Sequence, residues 1–337
     1  MPLRVDQQAA RSRWVSRRRT PRFGIHVPPD GAPVPFRVLV STRWLRIGAA
    51  AAVAALIGLA LLPHRLRLRV LIAGWLSGMA TFATAVLQAR RLTFEQITLP
   101  IPGLPAALDG VTIAQLSDLH LGNPFVLANI ERAKAWVQQR QPDVVVFTGD
   151  FLNDSRDLPL LRAALAGIHA PHGVYAIFGN HDHWTDLAAL ADVLDECGID
   201  VLRNARRALT FGETTLYVVG IDCVWEAQHD LPQALADLPA DATTIVLAHE
   251  PDIADEVAAY PVALQLSGHT HGGHITLPGL GPLFLPRHGF RYAQGLQRVG
   301  GMWLYVSRGL GGMPLRLGSP PEVTLLTLRA EASAPQD

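Results

Sequence analysis

Two histidines separated by one residue, His269 and His271, stand in the stretch Ser267-Gly268-His269-Thr270-His271-Gly272-Gly273. They cannot share a helix face, because neighbours on a helix surface are three or four residues apart. On a turn after a strand, both imidazoles can point toward one centre, and the glycines permit the sharp backbone of such a turn. Alone, the pattern fits metal ligands and a pair of packed loop histidines equally well.

Four other stretches place an acid, an amide or an imidazole directly after a run of apolar, mostly β-branched residues. The polar residues concerned are Asp118, His120, Asp150, Asn180, His181 and His249. This mixture of oxygen and nitrogen ligands suits Mn²⁺, Fe²⁺ or Zn²⁺ better than Ca²⁺ or Mg²⁺. One tetrahedral ion cannot use so many ligands, whereas two ions about 3.5–4 Å apart, bridged by one carboxylate, would use them all. Asp150 lies in the central loop and is the natural bridge.

From residue 92 onward, strands alternate with helices, which is typical of an α/β fold. Buried strands are expected at 111–116, 143–147, 173–178, 243–247 and 262–266. Helices are expected at 130–139, 158–165, 185–196 and 231–238, and a short hairpin at 209–219. Because ligands of open α/β sheets bind outside the carboxyl ends of the strands, the polar residues are expected to meet at one edge.

These motifs resemble the five signature blocks of the calcineurin-like metallophosphoesterases. The blocks are Asp118-x-His120, Gly149-Asp150, Gly179-Asn180-His181-Asp182, His249 and Gly268-His269-Thr270-His271. The resemblance covers residues 110–328, and no ligand of the set is missing. Trp184, Gly272-Gly273 and the segment from Ser307 to Val323 also resemble the membrane-attached YaeI/YkuE-like branch. The resemblance implies a four-layer α/β/β/α sandwich.

The same resemblance implies a role for each residue of the blocks. Asp118, His120 and His271 would hold a first metal ion, and Asn180, His249 and His269 a second. Asp150 would bridge the two divalent ions, for which Mn²⁺ is expected and Fe or Zn are alternatives. His181 would stabilise or protonate the leaving oxygen, and Asp182 would orient His181. A hydroxide held between the ions would attack phosphorus in line.

Three further residues are candidates for substrate contacts. His274 stands where the family has glutamine, so it either contacts the substrate or packs beside the site. Arg308, in a glycine-rich segment, could bind a substrate phosphate through two parallel hydrogen bonds. Surface arginines are common in this chain, however, and the same alternative applies to Arg316. Trp184 is interpreted as a core or rim aromatic residue.

The amino-terminal residues 1–43 are expected to form a disordered basic tail. They are rich in arginine, and within them residues 28–35 are rich in proline and glycine. Helices are expected in two apolar runs at 44–62 and 70–89, with a turn at 63–69 between them. A spanning helix needs about 20 such residues; the second run is long enough, and the first is so only if Trp44 and Leu45 join it. A transmembrane helical hairpin over 44–91 is predicted, with full spanning by the first run left open. Buried helices of a soluble protein are the alternative, although no polar stripe interrupts either run. The phosphoesterase domain would cover 92–330, with a disordered tail at 331–337.

Arginines that flank the apolar runs bear on orientation, since cytoplasmic loops are enriched in them. Those of the tail, with Arg90 and Arg91, place both ends of the hairpin in the cytoplasm. Arg65, Arg67 and Arg69 favour the reverse but are fewer. We therefore expect an inner-membrane protein whose domain faces the cytoplasm. With 29 basic and 29 acidic residues the net charge is zero, and no nucleic-acid partner is expected.

The leading hypothesis is a membrane-anchored dinuclear phosphoesterase that hydrolyses a phosphodiester or pyrophosphate bond. The anchor favours a lipid-linked substrate, for which the related UDP-2,3-diacylglucosamine pyrophosphatases are one model. A soluble phosphodiester or a cell-wall polymer is the rival substrate. A non-catalytic scaffold would normally have lost ligands, and a redox sensor would need a reactive thiol beside the site, which neither Cys197 nor Cys223 provides. The sequence leaves the oligomeric state open.

Overall fold

The computed structural model describes residues 36–38, 42–122, 124–239 and 241–331. Most of the expected tail at 1–43, and nearly all of that at 331–337, lies outside these residues. Within the first tail, residues 36–38 form a strand and a helix begins at Thr42.

The described part of the chain alternates strands and helices from residue 93 onward. Its α-helices are α1 (Thr42–Leu61), α2 (His64–Ala89), α3 (Pro124–Arg140), α4 (Leu158–Leu165), α5 (Asn180–His183), α6 (Leu187–Glu196), α7 (Leu231–Leu235) and α8 (Ala254–Val257). Its strands are β1 (Phe36–Val38), β2 (Thr93–Ile101), β3 (Thr112–Leu116), β4 (Val144–Thr148), β5 (Val174–Ile177), β6 (Asp200–Val201), β7 (Ala205–Phe211), β8 (Thr214–Gly220), β9 (Thr243–Leu247), β10 (Leu264–Ser267), β11 (Thr276–Leu277), β12 (Gly281–Pro282), β13 (Phe284–Pro286), β14 (Gly295–Val299), β15 (Met302–Val306) and β16 (Glu322–Ala330).

Two six-stranded sheets carry the domain. The first sheet has the order β2-β16-β3-β4-β5-β6, and the second has the order β14-β15-β10-β9-β8-β7. Neighbours from β3 to β6 are parallel, as are those from β8 through β9 and β10 to β15. The carboxyl ends of the parallel strands in each sheet therefore lie side by side at the same end of that sheet.

Alternating side chains show how the layers stack. In β4, Val144 and Val146 pack between the two sheets, whereas Val145 and Phe147 pack under α3, α4 and α6. In β9, Ile245 packs between the sheets and Val246 packs against α7 and α8. The order is thus helices, sheet, sheet, helices, as expected. Because both faces of these strands are buried, their apolar residues form the continuous runs 144–147 and 245–247 and do not alternate with polar residues.

The helix boundaries at the amino-terminal end differ from the prediction of a turn at 63–69. Only Leu62 and Pro63 separate α1 from α2, so Arg65, Arg67 and Arg69 belong to the first turns of α2. Proline is well tolerated at a helix start, and the Pro63 carbonyl accepts hydrogen bonds from the backbone N–H groups of Leu66 and Arg67, both at 2.9 Å. Arginine is a good helix former, so three such residues do not interrupt the helix.

Among the described residues, α2 is the helix that is long and apolar enough to cross a membrane. The apolar part of α1, Ala52–Leu61, is shorter. Large apolar side chains of α2 are exposed, including Trp75 at 65% and Phe82 at 57%. Burial is confined to its last turns, where Ala85 and Ala89 pack against the domain.

Candidate metal centre

The predicted ligands directly follow β3, β4, β5, β9 and β10, and Asn180 is the first residue of α5. Aspartate and histidine side chains of these segments form three groups, and within each group the possible ligand atoms lie within 4.8 Å of one another. The groups are Asp118 with His120 and His271, His120 with Asp150 and His181, and Asp150 with His249 and His269. Because His120 and Asp150 each belong to two groups, the three groups form one continuous cluster.

The backbone at this cluster is held in an unusual conformation. A left-handed φ between 44° and 72° occurs at Asp118, His120, Asp150, His269 and His271. Each such residue costs about 1–3 kcal/mol and persists only where the surroundings impose it. The strain turns each side chain back toward a common centre directly after its strand.

Two glycines allow the loops after β4 and β5 to approach closely. A Cβ atom on Gly149 would lie 2.6 Å from the backbone nitrogen of Gly179. A Cβ atom on Gly179 would lie 2.2 Å from Oδ1 of Asp150. A larger residue at Gly179 would therefore press on Asp150, and one at Gly149 would press on Gly179 and His249.

One oxygen of Asp150 faces both sides of the cluster. Its Oδ2 lies 3.4 Å from Nε2 of His120 and 3.2 Å from Nε2 of His249. Its Oδ1 accepts a hydrogen bond from the backbone N–H of His181 at 2.9 Å, which fixes the carboxylate. This is the placement that a bridging carboxylate requires.

Hydrogen bonds orient three of the imidazoles. Nδ1 of His120 donates to Oδ1 of Asn153 at 2.8 Å, and Nδ1 of His249 donates to the Thr148 carbonyl at 2.6 Å. Nε2 of His269 donates to the Arg287 carbonyl at 2.8 Å. Since these oxygens accept, the proton is assigned to the bonded nitrogen. The lone pair of the other nitrogen of His120 and His269 then points into the cluster, as in metal-ligating histidines, whereas Nε2 of His249 faces Asp150.

His271 has a different neighbour. Its Nδ1 lies 3.0 Å from Nη2 of Arg316, and arginine can only donate. Its Nε2 lies 3.1 Å from Nε2 of His120 and faces the cluster.

A buried atom without a partner tests whether the cluster fits metal ions. Asn180 is almost fully buried, yet its Oδ1 has no hydrogen bond. Leaving such an atom unsatisfied costs about 1–3 kcal/mol, and a cation would satisfy it. The donor set of carboxylate, amide and imidazole therefore fits divalent metals.

Burial and neighbouring charges also set the protonation of the imidazoles. Burial, with His249 nearby, lowers the pKa of His269 to about 4, and burial lowers the pKa of His181 to about 3. Burial also opposes charge on His249, but Asp150 and Asp118 outweigh it and raise its pKa. His269 is therefore neutral at pH 7, as a ligand must be.

His181 lies beside the cluster, where its role stays a prediction, whereas the Asp182 side chain points away from it. The partly exposed His181 ring packs edge-on against His120, with a centroid distance of 4.6 Å, and also against Trp184 at 4.6 Å. The Asp182 carboxylate instead accepts hydrogen bonds from the backbone N–H groups of Gly179, Asp150, Phe151 and Leu152. Asp182 is thus directed into the loops and does not hydrogen-bond to the imidazole it was expected to orient.

Arg308 is occupied by protein carboxylates, contrary to the expectation that it binds a substrate phosphate. Its guanidinium pairs with Glu322, which is buried, and with Glu95 at 2.7 Å, and donates to the Thr93 hydroxyl at 3.1 Å. Two neighbouring carboxylates neutralise this charge and repel a phosphate anion. Arg308 ties the loop after β15 to β2 and β16.

His274 and Trp184 lie beside the cluster. The His274 ring stacks on that of His271 at a centroid distance of 4.5 Å, so it packs directly against a predicted ligand. Trp184 is half-buried, and its indole N–H donates to Oε1 of Glu226 at 2.8 Å, which places it at the rim. Substrate contact by His274 stays a prediction.

Two residues around the cluster were missed or undervalued by sequence reasoning. Asn153, which orients His120, stands three residues after Asp150, and only that closeness could have indicated it. Arg316 is fully buried behind His271, although its sequence neighbourhood resembles a surface loop. Burial of an arginine far along the chain has no local sequence signal.

Comparison with known proteins agrees with this geometry. Residues 111–273 match the calcineurin-like phosphoesterase family. The chain is 36% identical over 238 residues to metallophosphoesterase YkuE of Bacillus subtilis, covering 67% of this chain and 82% of that protein. It is 33% identical over 222 residues to phosphodiesterase YaeI of Escherichia coli, covering 63% of this chain and 80% of that protein.

A third relative is UDP-2,3-diacylglucosamine pyrophosphatase LpxG of Chlamydia trachomatis, 28% identical over 301 residues, covering 71% of this chain and 90% of that protein. The family uses divalent metals, and the clustered aspartates and histidines described above can bind them. The chain belongs to the calcineurin-like metallophosphoesterases and is a hydrolase of phosphoester bonds.

Proposed function

We propose that this protein is a dinuclear metal-dependent phosphoesterase, anchored in the inner membrane by α1 and α2, with its domain in the cytoplasm. It hydrolyses a phosphodiester or pyrophosphate bond of a lipid-linked substrate. The observation that carries the dinuclear site is the position of Asp150 Oδ2 between His120 and His249.

Two sets of residues would each hold one cation. Asp118, His120 and His271 would hold the first, and His249 and His269, which group with Asp150, would hold the second together with the unpartnered Oδ1 of Asn180. Bound cations, with Mn²⁺ as the expected ion, would lower the pKa of a water and polarise the phosphoryl oxygens. Asp118 is held for this purpose, because its carboxylate accepts the backbone N–H of His269 at 3.0 Å and the Ser117 hydroxyl at 2.6 Å.

His181 would act on the leaving oxygen. Its ring packs on His120 and Trp184, and unlike the buried ligands it is partly exposed, so a substrate can reach it. The ring donates a hydrogen bond to the oxygen that departs from phosphorus. Trp184 restricts the ring to one orientation.

The membrane assignment rests on the length and exposure of α2. Over most of its 26 residues, its apolar side chains are exposed in the described part of the chain. Such a surface is unstable in water and stable in a bilayer. Arg90 and Arg91 follow the helix directly, which favours a cytoplasmic domain.

A lipid-linked substrate follows from the anchor and from one relative. The relative LpxG is named for a pyrophosphatase reaction on UDP-2,3-diacylglucosamine. A comparison of lipid extracts from a deletion strain and its parent tests this point. Accumulation of one phosphorylated lipid supports it, whereas an unchanged lipid profile with an accumulated soluble phosphodiester contradicts it.

The enzyme assignment is tested with full-length protein in detergent, stripped of metal by a chelator. Addition of Mn²⁺ should restore two ions per chain and hydrolysis of bis-p-nitrophenyl phosphate. Asp150→Asn should lose both the two bound ions and the hydrolysis, because it removes the carboxylate charge that the two ions would share. The exposed control Asp192→Asn should retain the ions and the hydrolysis. Folded wild-type protein without turnover under any divalent metal would contradict the proposal.

A further inference from the structure

The last turns of α2 are built into the surface of the domain. Nδ2 of Asn129 donates to the Ala89 carbonyl at 3.2 Å, and Nη2 of Arg132 donates to the Arg90 carbonyl at 2.8 Å. These bonds fix the end of α2 on α3. A flexible tether would not need such contacts.

A second set of bonds joins α2 to the loop after β15. The backbone N–H of Arg316 donates to the Ala85 carbonyl at 3.0 Å. The backbone N–H of Gly318 donates to Oε1 of Gln88 at 2.9 Å. Helix α2 therefore sets the position of the segment that contains Arg316.

The side chain of Arg316 runs from this contact to the metal cluster. It is fully buried, and no carboxylate among the described residues pairs with it. Its fork of N–H groups instead donates to the carbonyls of His271 at 2.8 Å, Arg308 at 3.0 Å, Gly311 at 2.5 Å and Ser319 at 3.3 Å. Burying a cation without a paired anion is costly, and these carbonyl contacts offset part of that cost, while Nε of Arg316 has no hydrogen-bond partner among the described residues.

The backbone of His271 depends on this arrangement. Its φ of 52° is strained for a residue with a side chain, and its carbonyl is held by Arg316 Nη1 and by the Ser319 hydroxyl at 2.7 Å. Arg316 Nη2 also contacts the His271 ring. A displacement of Arg316 would therefore move both the backbone and the ring of His271.

We propose that the end of α2 is a positioning element of the first metal site, which acts through Arg316 on His271. The proposal presupposes the dinuclear site of the proposed function. Ligands must be held to within about 0.5 Å of their working geometry. The membrane anchor would thus set metal affinity as well as location.

Full-length protein in detergent, titrated with Mn²⁺, tests the proposal. Ala85→Leu inserts a larger side chain between α2 and the domain, and Ala83→Leu makes the same change on the exposed face. Ala85→Leu should weaken one of the two Mn²⁺ sites roughly 10- to 100-fold, the range found when groups behind a ligand are altered. Ala83→Leu should bind both ions as wild type does.

Arg316 itself is tested with two variants. Arg316→Met should lower the affinity for the same Mn²⁺ ion by a similar factor. Arg316→Lys should also lower this affinity, because a lysine keeps the charge but cannot donate to four carbonyls. The electron paramagnetic resonance signal of the coupled Mn²⁺ pair should give way to that of a single ion at limiting Mn²⁺, which a merely destabilised fold would not cause. Wild-type affinity in Arg316→Lys would overturn the proposal.

The double variant Ala85→Leu/Arg316→Met tests whether the two positions act in one chain of contacts. If they do, its loss of affinity should equal that of Arg316→Met alone, whereas multiplied losses would overturn the proposal. If Ala85→Leu does not fold, the milder variant Gln88→Met replaces it. Gln88→Met should lower the affinity for the same Mn²⁺ ion severalfold, and unchanged affinity would overturn the proposal. Wild-type protein that binds no ion would instead refute the proposed function.

Discussion

The carboxylate of Asp182 accepts a hydrogen bond from the backbone N–H of Asp150 at 2.8 Å. Asp182 is fully buried, and its other bonds also go to backbone N–H groups of the two adjacent loops. Burial and the charge of Asp150 raise the pKa of Asp182 to about 7, while the backbone donors oppose that shift. Asp182 thus shapes the loop that presents the bridging carboxylate.

Asp182→Asn should therefore destabilise the fold as well as lower activity. The amide nitrogen of asparagine would face backbone N–H donors, and we expect a loss of about 3 kcal/mol in the free energy of unfolding. Urea denaturation of the metal-free protein in detergent measures this loss. Asp192→Asn, on the exposed face of α6, is the matched control. Unchanged stability with lower activity would favour the original expectation that Asp182 orients His181.

His181→Ala should lower kcat by about 10²- to 10³-fold for a substrate with an alkoxide leaving group, because it removes the neutral ring that donates a hydrogen bond to this oxygen. The loss should be much smaller for bis-p-nitrophenyl phosphate, whose leaving group is stable as an anion. Steady-state kinetics on both substrates measure the difference. Equal losses on the two would show that His181 does not act on the leaving oxygen.

Arg308→Met should destabilise the protein without changing KM. Removing the guanidinium leaves the buried Glu322 without its cation, which costs about 3–5 kcal/mol. Arg162→Met, which breaks an exposed pair with Glu196, should cost less than about 1 kcal/mol. Thermal unfolding and substrate titration measure both effects. A tenfold rise in KM for Arg308→Met would restore its expected role in phosphate binding.

Asp222→Asn should destabilise the protein at neutral pH and have little effect in acid. Burial opposes charge on Asp222, but hydrogen bonds from His183 at 3.0 Å and Arg203 at 2.7 Å outweigh it and lower the pKa. Because the pKa is lower in the folded protein, the ionised Asp222 stabilises the fold above the pKa of the unfolded chain, about 4. This stabilisation is lost as the pH falls through the pKa of the folded protein. Melting temperatures of both proteins from pH 7 downward should therefore converge below about pH 4. A constant difference would contradict this account.

The sequence alone predicted most of the elements that carry the site. The strand expected at 243–247 has those bounds, and the helix expected at 158–165 does too. These segments are apolar, bounded by breakers and buried on both faces, so local pattern and tertiary environment agree. By contrast, β2 and β16 pair with each other across more than 220 residues of sequence, which no local pattern reveals.

The sequence alone was enough to predict the metal ligands, because metal chemistry restricts which side chains can serve. The predicted ligands are Asp118, His120, Asp150, Asn180, His249, His269 and His271. Tertiary structure decided what surrounds them. Whether a charged side chain such as Arg308 or Arg316 faces a substrate, a carboxylate or a backbone carbonyl depends on residues distant in sequence. Only folding brings Glu322 to Arg308 and the end of α2 to Arg316, so only the structure distinguishes a residue that binds substrate from one that positions a ligand.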